Sequence, residues 1–168
     1  MRLTKKGLRL IVFAISMIMV TIVFLSYGKY ERSILSFKLI IHLLVGYIFL
    51  IELTYAVRRQ LKLKSKILTK AFFVGLYLFG ISVGLIASLQ FYNTFSDAFI
   101  TGFEKVDIVI LHREPVYNDS DRIYVTMDDE REVFSLAPGY VEVEPDSSYR
   151  VHAFMKSKIV VPIEAIIK

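Results

Sequence analysis

The sequence holds no cysteine and no tryptophan. Without cysteine there is no disulfide framework and no thiolate metal site. A small domain in an oxidising space must then hold by core packing or by a tether. The usual marks of catalysis are missing as well. No glycine-rich phosphate loop, Walker motif or pair of carboxylates in a catalytic frame occurs, and no two of the three histidines stand at a zinc-ligand spacing. Acids are scarce in the first half. Residues 1–91 carry 13 Lys and Arg against only Glu31 and Glu52, a net of +11. Residues 92–168 reverse this, with 8 Lys and Arg against 14 Asp and Glu, a net of −6. Such a split marks two units in two different surroundings.

What fills the first half is apolar. The chain is 55% hydrophobic with a mean hydropathy of +0.53, more than a soluble domain carries. Three segments stand out: 10–27 ("LIVFAISMIMVTIVFLSY"), 39–57 ("LIIHLLVGYIFLIELTYAV") and 71–92 ("AFFVGLYLFGISVGLIASLQFY"). Each is close to the roughly 20 residues that cross a hydrocarbon core about 30 Å thick. They predict three transmembrane helices. The first is too long for a cleaved signal peptide and lacks a small-x-small cleavage site at its exit, so it is an uncleaved anchor.

Basic loops set the direction. The N-terminus carries Arg2, Lys5, Lys6 and Arg9, and the loop "RRQLKLKSKILTK" carries Arg58, Arg59, Lys62, Lys64, Lys66 and Lys70 with no acid. The positive-inside rule puts both in the cytoplasm and the C-terminal part outside. Tyr27, Tyr30 and Phe37, then Tyr55, Phe72 and Phe73, then Phe91, Tyr92 and Phe95 fall where interfacial aromatic belts belong. The basic loop has no folded platform for nucleic acid. Its lysines alternate with aliphatics in a way that suits anionic headgroups.

Beyond a linker at 93–103 the pattern changes to period two. In "VDIVILHR", Val106, Ile108 and Ile110 share a face. "RIYVTM" and "REVFSL" flank a "DDE" turn, "YVEVE" precedes a "PDSS" turn, and "YRVHAFM" and "KIVVPIEAII" flank "KS". About six short strands over 104–168 predict a small all-β extracytoplasmic domain. An SH3-like or OB-like barrel, or a tight sandwich, would hide its edges. Pro162 makes the last strand an edge or a bulged one.

Several residues are candidates for chemistry or packing. Gly80, Gly84 and Ser88 repeat every four residues, the pattern of closely packed membrane helices, with Gly75 a less regular extension. Gly80–Gly84 also spells G-x-S-x-G around Ser82. A nucleophile elbow needs a strand–turn–helix, and by helical rise Ser82 and the one membrane histidine, His42, sit at ~16 and ~23 Å above the cytoplasmic end. Glu52 is an acid inside a span, which costs roughly 2.5–3.5 kcal/mol if central. Two readings stand for it. It accepts hydrogen bonds in a polar layer with Tyr77, Ser16 or Tyr55, or it snorkels toward Arg58 and Arg59. His42 is either a pH sensor or the cap of a packing layer. Acidic turns at 118–121 and 128–130 read as solvated loops sooner than as calcium ligands, since the EF-hand pattern is absent.

These features predict a non-enzymatic integral membrane protein of a bacterial cell envelope, without cofactor or metal. It would be an accessory or regulatory subunit of a membrane complex. Expected partners are membrane lipids, another membrane protein or a second copy met through the glycine face, and a cationic peptide or protein at the acidic outer domain. No nucleic acid is expected. A toxin-immunity protein is the alternative, and an intramembrane serine hydrolase the remote one.

Overall fold

The computed structural model of the chain describes residues 5–62, 67–116, 120–127 and 130–166. Three helices come first: α1, Lys5–Ser26; α2, Lys29–Leu61; and α3, Ile67–Thr101. All three are long and apolar enough to cross a membrane. No proline occurs before Pro115, so nothing in this half removes a donor from the helical ladder. Two π-helical turns interrupt the regular winding, at Ile48–Glu52 within α2 and at Asp97–Thr101 closing α3.

The helices run further than the apolar pattern predicted. The expected loop between the first two spans shrinks to Tyr27 and Gly28, and Lys29–Lys38 is helical. The expected linker at 93–103 is helix through Thr101, leaving Gly102 and Phe103 before the first strand. A charged residue ends an apolar run but does not end a helix, because Lys, Arg, Glu and Ser all carry acceptable helix propensity. The helix stops where Gly102 adopts φ 74°, a conformation that glycine takes without strain.

The chain divides into two compact units, Met1–Met19 with Phe37–Tyr92, and Val20–Ser36 with Asn93–Lys168. In the first, α2 and α3 meet along small residues. A Cβ on Gly84 would stand 2.6 Å from the Leu50 side chain, and one on Gly80 would overlap Leu53. Gly46 faces the Ser88 hydroxyl from the other side. The partner of the small-residue face on α3 is therefore α2. Gly75 has open space around it and lies off this seam.

The second unit holds five strands: β1, Glu104–Glu114; β2, Asp121–Met127; β3, Glu130–Leu136; β4, Ser148–Phe154; and β5, Ile159–Ile166. They form a mixed sheet hydrogen-bonded in the order β1-β2-β3-β5-β4, and β4 pairs back to β1 so that the ring of pairings closes. The seam between β3 and β5 is parallel and short, Ser135 with Ile159 and Leu136 with Val160. The expected sixth strand, "YVEVE" at 140–144, is not one. Pro138 and Pro145 bracket it and each removes a ladder donor. Bulges fall at Leu111 in β1 and at Ile163 in β5, the latter next to Pro162 as that residue predicted. Alternate residues fill the core, among them Ile108, Ile110, Ile123, Val125, Phe134 and Val151, each no more than 1% exposed.

β4 and β5 are covered on both faces. Phe154 and Ile159 are paired across the two strands, and so are His152 and Val161, on the side away from the core. Phe154, Ile159 and Val161 are nonetheless fully buried. The rings of Tyr27 and Phe103 pack on Phe154, each with centroids 6.0 Å away. The α1–α2 turn and the end of α3 thus belong to the same compact unit as the strands.

Candidate functional site

Glu52 has partners on the helices that the sequence did not suggest, Arg9 and Tyr47. Arg9 of α1 donates to its Oε1 from Nε at 2.8 Å and approaches with Nη2 at 2.7 Å. The Tyr47 hydroxyl donates to the same oxygen at 2.8 Å. The π-turn makes the second contact possible. Residues five apart lie about 140° around an α-helix, whereas the wider turn brings Tyr47 and Glu52 together. Ser16 instead donates to the Val12 carbonyl, and Tyr77 is half-buried on α3. Snorkelling toward Arg58 and Arg59 is replaced by pairing with Arg9.

Beside the π-turn lies a cavity of about 260 Å³, with Val12, Leu43, Tyr47, Leu50, Ile51 and Phe91 among its walls. His42, Gly46 and Ser88 complete the lining. Ser88 donates to the Gly84 carbonyl at 2.8 Å, so its hydroxyl serves its own helix. The Ser82 hydroxyl does likewise with Leu78 and is exposed. Arg58, Arg59, Lys62 and Lys70 are all exposed at the facing ends of α2 and α3. Lys64 and Lys66 lie outside the described residues, as do Asn118, Asp119, Asp128 and Asp129 of the acidic turns.

The strand-containing unit has a second polar cluster that the sequence reading missed. Glu31, in the first turn of α2, is 2% exposed. Its Oε1 lies 2.6 Å from Nδ1 of His152 on β4, and the Tyr140 hydroxyl donates weakly to Oε2 at 3.5 Å. Phe103 stacks on the imidazole with centroids 3.8 Å apart, and Tyr30 meets Tyr140 edge-on at 4.7 Å. Gly28 is required for this approach. A Cβ there would stand 2.7 Å from both the Glu31 carboxylate and the Tyr140 hydroxyl. Desolvation and then the Glu31 charge hold the Tyr140 phenol above the usual tyrosine range. A buried carboxylate without a partner costs several kcal/mol, so the imidazole contact is what makes the site tolerable.

Asp97, 1% exposed, organises the other end of the same unit. Its carboxylate accepts from the Ser157 amide at 2.7 Å, the Ser157 hydroxyl at 2.6 Å and the Thr101 hydroxyl at 3.1 Å. It thereby fixes the β4–β5 turn, where Lys158 adopts φ 51°. Tyr27 donates to the Ala98 carbonyl at 2.8 Å.

The two acids of residues 1–91, Glu31 and Glu52, thus each meet a cation or an imidazole and a tyrosine. Glu31 was legible only as a loop charge. The signal that could have found it is the spacing Glu31, Leu35, Leu39, all at most 2% exposed, the stripe of a helix with one buried face. Among the described residues no three His, Asp or Glu converge as metal ligands. Comparison with protein family models, with curated proteins and with solved structures gives no match to this chain.

Proposed function

We propose that the chain is a small non-enzymatic integral membrane protein, an accessory or regulatory subunit whose strand domain meets a partner or ligand. The observation that carries this reading is where the apolar surface lies. Leu10 and Phe13 on α1, and Ile67, Leu68, Phe72 and Phe79 on α3, are each more than 60% exposed. Surface of that kind is stable in hydrocarbon or against other helices, and not in water. The strand domain has its own closed core and an acidic surplus, which suits an aqueous space. Its five strands, with β5 inserted between β3 and β4, favour the OB-like alternative among small barrels. The basic N-terminus and the 58–70 loop support a cytoplasmic N-terminus and an extracellular C-terminal domain.

One part of the expected mechanism changes. Because Leu50 and Leu53 fill the seam at Gly84 and Gly80, that face is occupied within the chain. Partner helices would use the other faces, where the exposed side chains are. Affinity purification in mild detergent tests the reading. A stoichiometric membrane partner is expected, and a clean monomer at every detergent concentration tried would sink it. Protease protection in intact cells tests the direction, since a protected C-terminal domain would reverse it. A toxin-immunity role remains the second reading, separated by whether the gene lies beside a toxin gene.

A further inference from the structure

The cavity beside the α2 π-turn is an apolar slot with a charged mouth. Val12 and Tyr47, two of its walls, stand next to the Arg9–Glu52–Tyr47 cluster. Arg9 precedes Val12 by one helical turn and keeps 62% of its side chain exposed. Lys6, also exposed, lies one turn further back on the same side of α1. Arg9 pairs with the one acid, and Lys6, placed by helical spacing on the same side, adds a second cation near the mouth. Of the remaining walls, Leu43, Leu50, Ile51 and Phe91 are apolar, Gly46 adds backbone, and His42 and Ser88 are the polar side chains. The π-turn builds this arrangement, since it places Leu50 over Gly84 and swings Tyr47 onto Glu52.

We propose that the slot holds one acyl chain of an anionic membrane phospholipid, with the phosphate against Arg9 and Lys6. The inference rests on the membrane reading above. Two observations choose a lipid over a peptide or a second copy. The spans that form the slot are apolar along their length, so hydrocarbon is the medium that reaches it. The mouth carries a cationic surplus, which complements a phosphate and not a cationic peptide.

The test uses the full chain, purified in mild detergent and stripped of lipid. It is titrated with phosphatidylglycerol or phosphatidylcholine of identical acyl chains and read by native mass spectrometry. One phosphatidylglycerol is expected to remain bound. Val12→Phe and Leu43→Trp each fill the slot and should weaken both lipids about tenfold. Lys6→Gln removes the surplus cation and leaves the Arg9–Glu52 pair intact, so that no acid is stranded. It should weaken phosphatidylglycerol about tenfold and leave phosphatidylcholine unchanged. Unchanged retention in slot-filling variants that melt like the parent overturns the proposal. Should those variants misfold, a phospholipid with a photoreactive acyl chain is crosslinked to the unaltered protein, and labelling confined to other surfaces overturns it equally. Release of the chain from membranes by alkaline carbonate would defeat the membrane reading itself. Retention in membranes with an empty slot defeats only this inference.

Discussion

Nδ1 of His152 lies 2.6 Å from Oε1 of Glu31, although 121 residues separate them in sequence. The contact ties the α1–α2 turn to β4 inside one compact unit. Removing the imidazole leaves a carboxylate in a site with almost no access to water. His152→Ala should destabilise the strand-containing unit by about 3–5 kcal/mol. Glu31→Gln should cost less, and the pair of changes less than their sum. A double-mutant cycle on denaturation in detergent measures this coupling. A coupling near zero would mean that the pair is incidental.

The small-residue seam makes a prediction with an internal control. Gly84→Val pushes a branched side chain into Leu50 and should cost about 1–3 kcal/mol or prevent α2–α3 packing. Gly75→Ala meets nothing and should leave stability unchanged or slightly higher through helix propensity. Thermal melting of both variants in one detergent decides. Equal effects would remove the case for a specific seam.

Asp97 holds the β4–β5 turn through the Ser157 amide and hydroxyl. Asp97→Ala strands those two buried donors and should cost about 1–3 kcal/mol. Hydrogen exchange at the Met155–Lys158 turn should accelerate more than exchange in β2. Uniform acceleration would show that Asp97 stabilises the whole unit without any special hold on the turn.

Tyr140 supplies a pH dependence. Desolvation, and then the Glu31 charge, favour its neutral phenol, so its folded pKa lies above the ordinary 10.0. The resulting stability is complete below pH 10 and is lost as pH climbs through the folded value. Tyr140→Phe should therefore flatten part of the alkaline fall in melting temperature. An alkaline profile identical to that of the parent would count against this role.

The Arg9–Glu52 pair is tested by asking which single change hurts. Arg9→Gln leaves Glu52 with only Tyr47 among the partners described above and should lower helical stability. Adding Glu52→Gln should restore most of it, because no charge is then stranded. Circular dichroism melts in detergent read both. If the double change is as damaging as the single one, the acid has a role besides pairing with Arg9.

The long apolar spans and most of the strands were legible because each rests on a local pattern: length without charge for the helices, alternation for β1, β2 and β3. Gly80 and Gly84 were legible as a packing face, since glycine spacing is local too. Their partner was not, because helix pairing depends on residues far away in sequence, Leu53 for Gly80 and Leu50 for Gly84. The buried acids were hidden for the same reason. Glu31 sits in a run of mixed charge that reads as a loop until β4 supplies His152. The strand expected at 140–144 shows the converse. Its alternation is genuine, but Pro138 and Pro145 deny it a ladder. The π-turn at Ile48–Glu52 left no compositional trace, and with it the Tyr47–Glu52 contact stayed out of reach.

The double cover of β4 and β5 bears on how the strand domain can be handled in isolation. A fragment cut just before Glu104 would leave Tyr27 and Phe103 behind and bare Phe154, Ile159 and Val161 to solvent. Its sheet would keep a complete interior yet wear a sticky coat, and such fragments clump. Grafting the α1–α2 turn back on, or replacing those three side chains with polar ones, is the route to a soluble piece. The boundary of the strand-containing unit does not coincide with the first residue of the first strand, since Val20–Ser36 and Asn93–Phe103 belong to it as well.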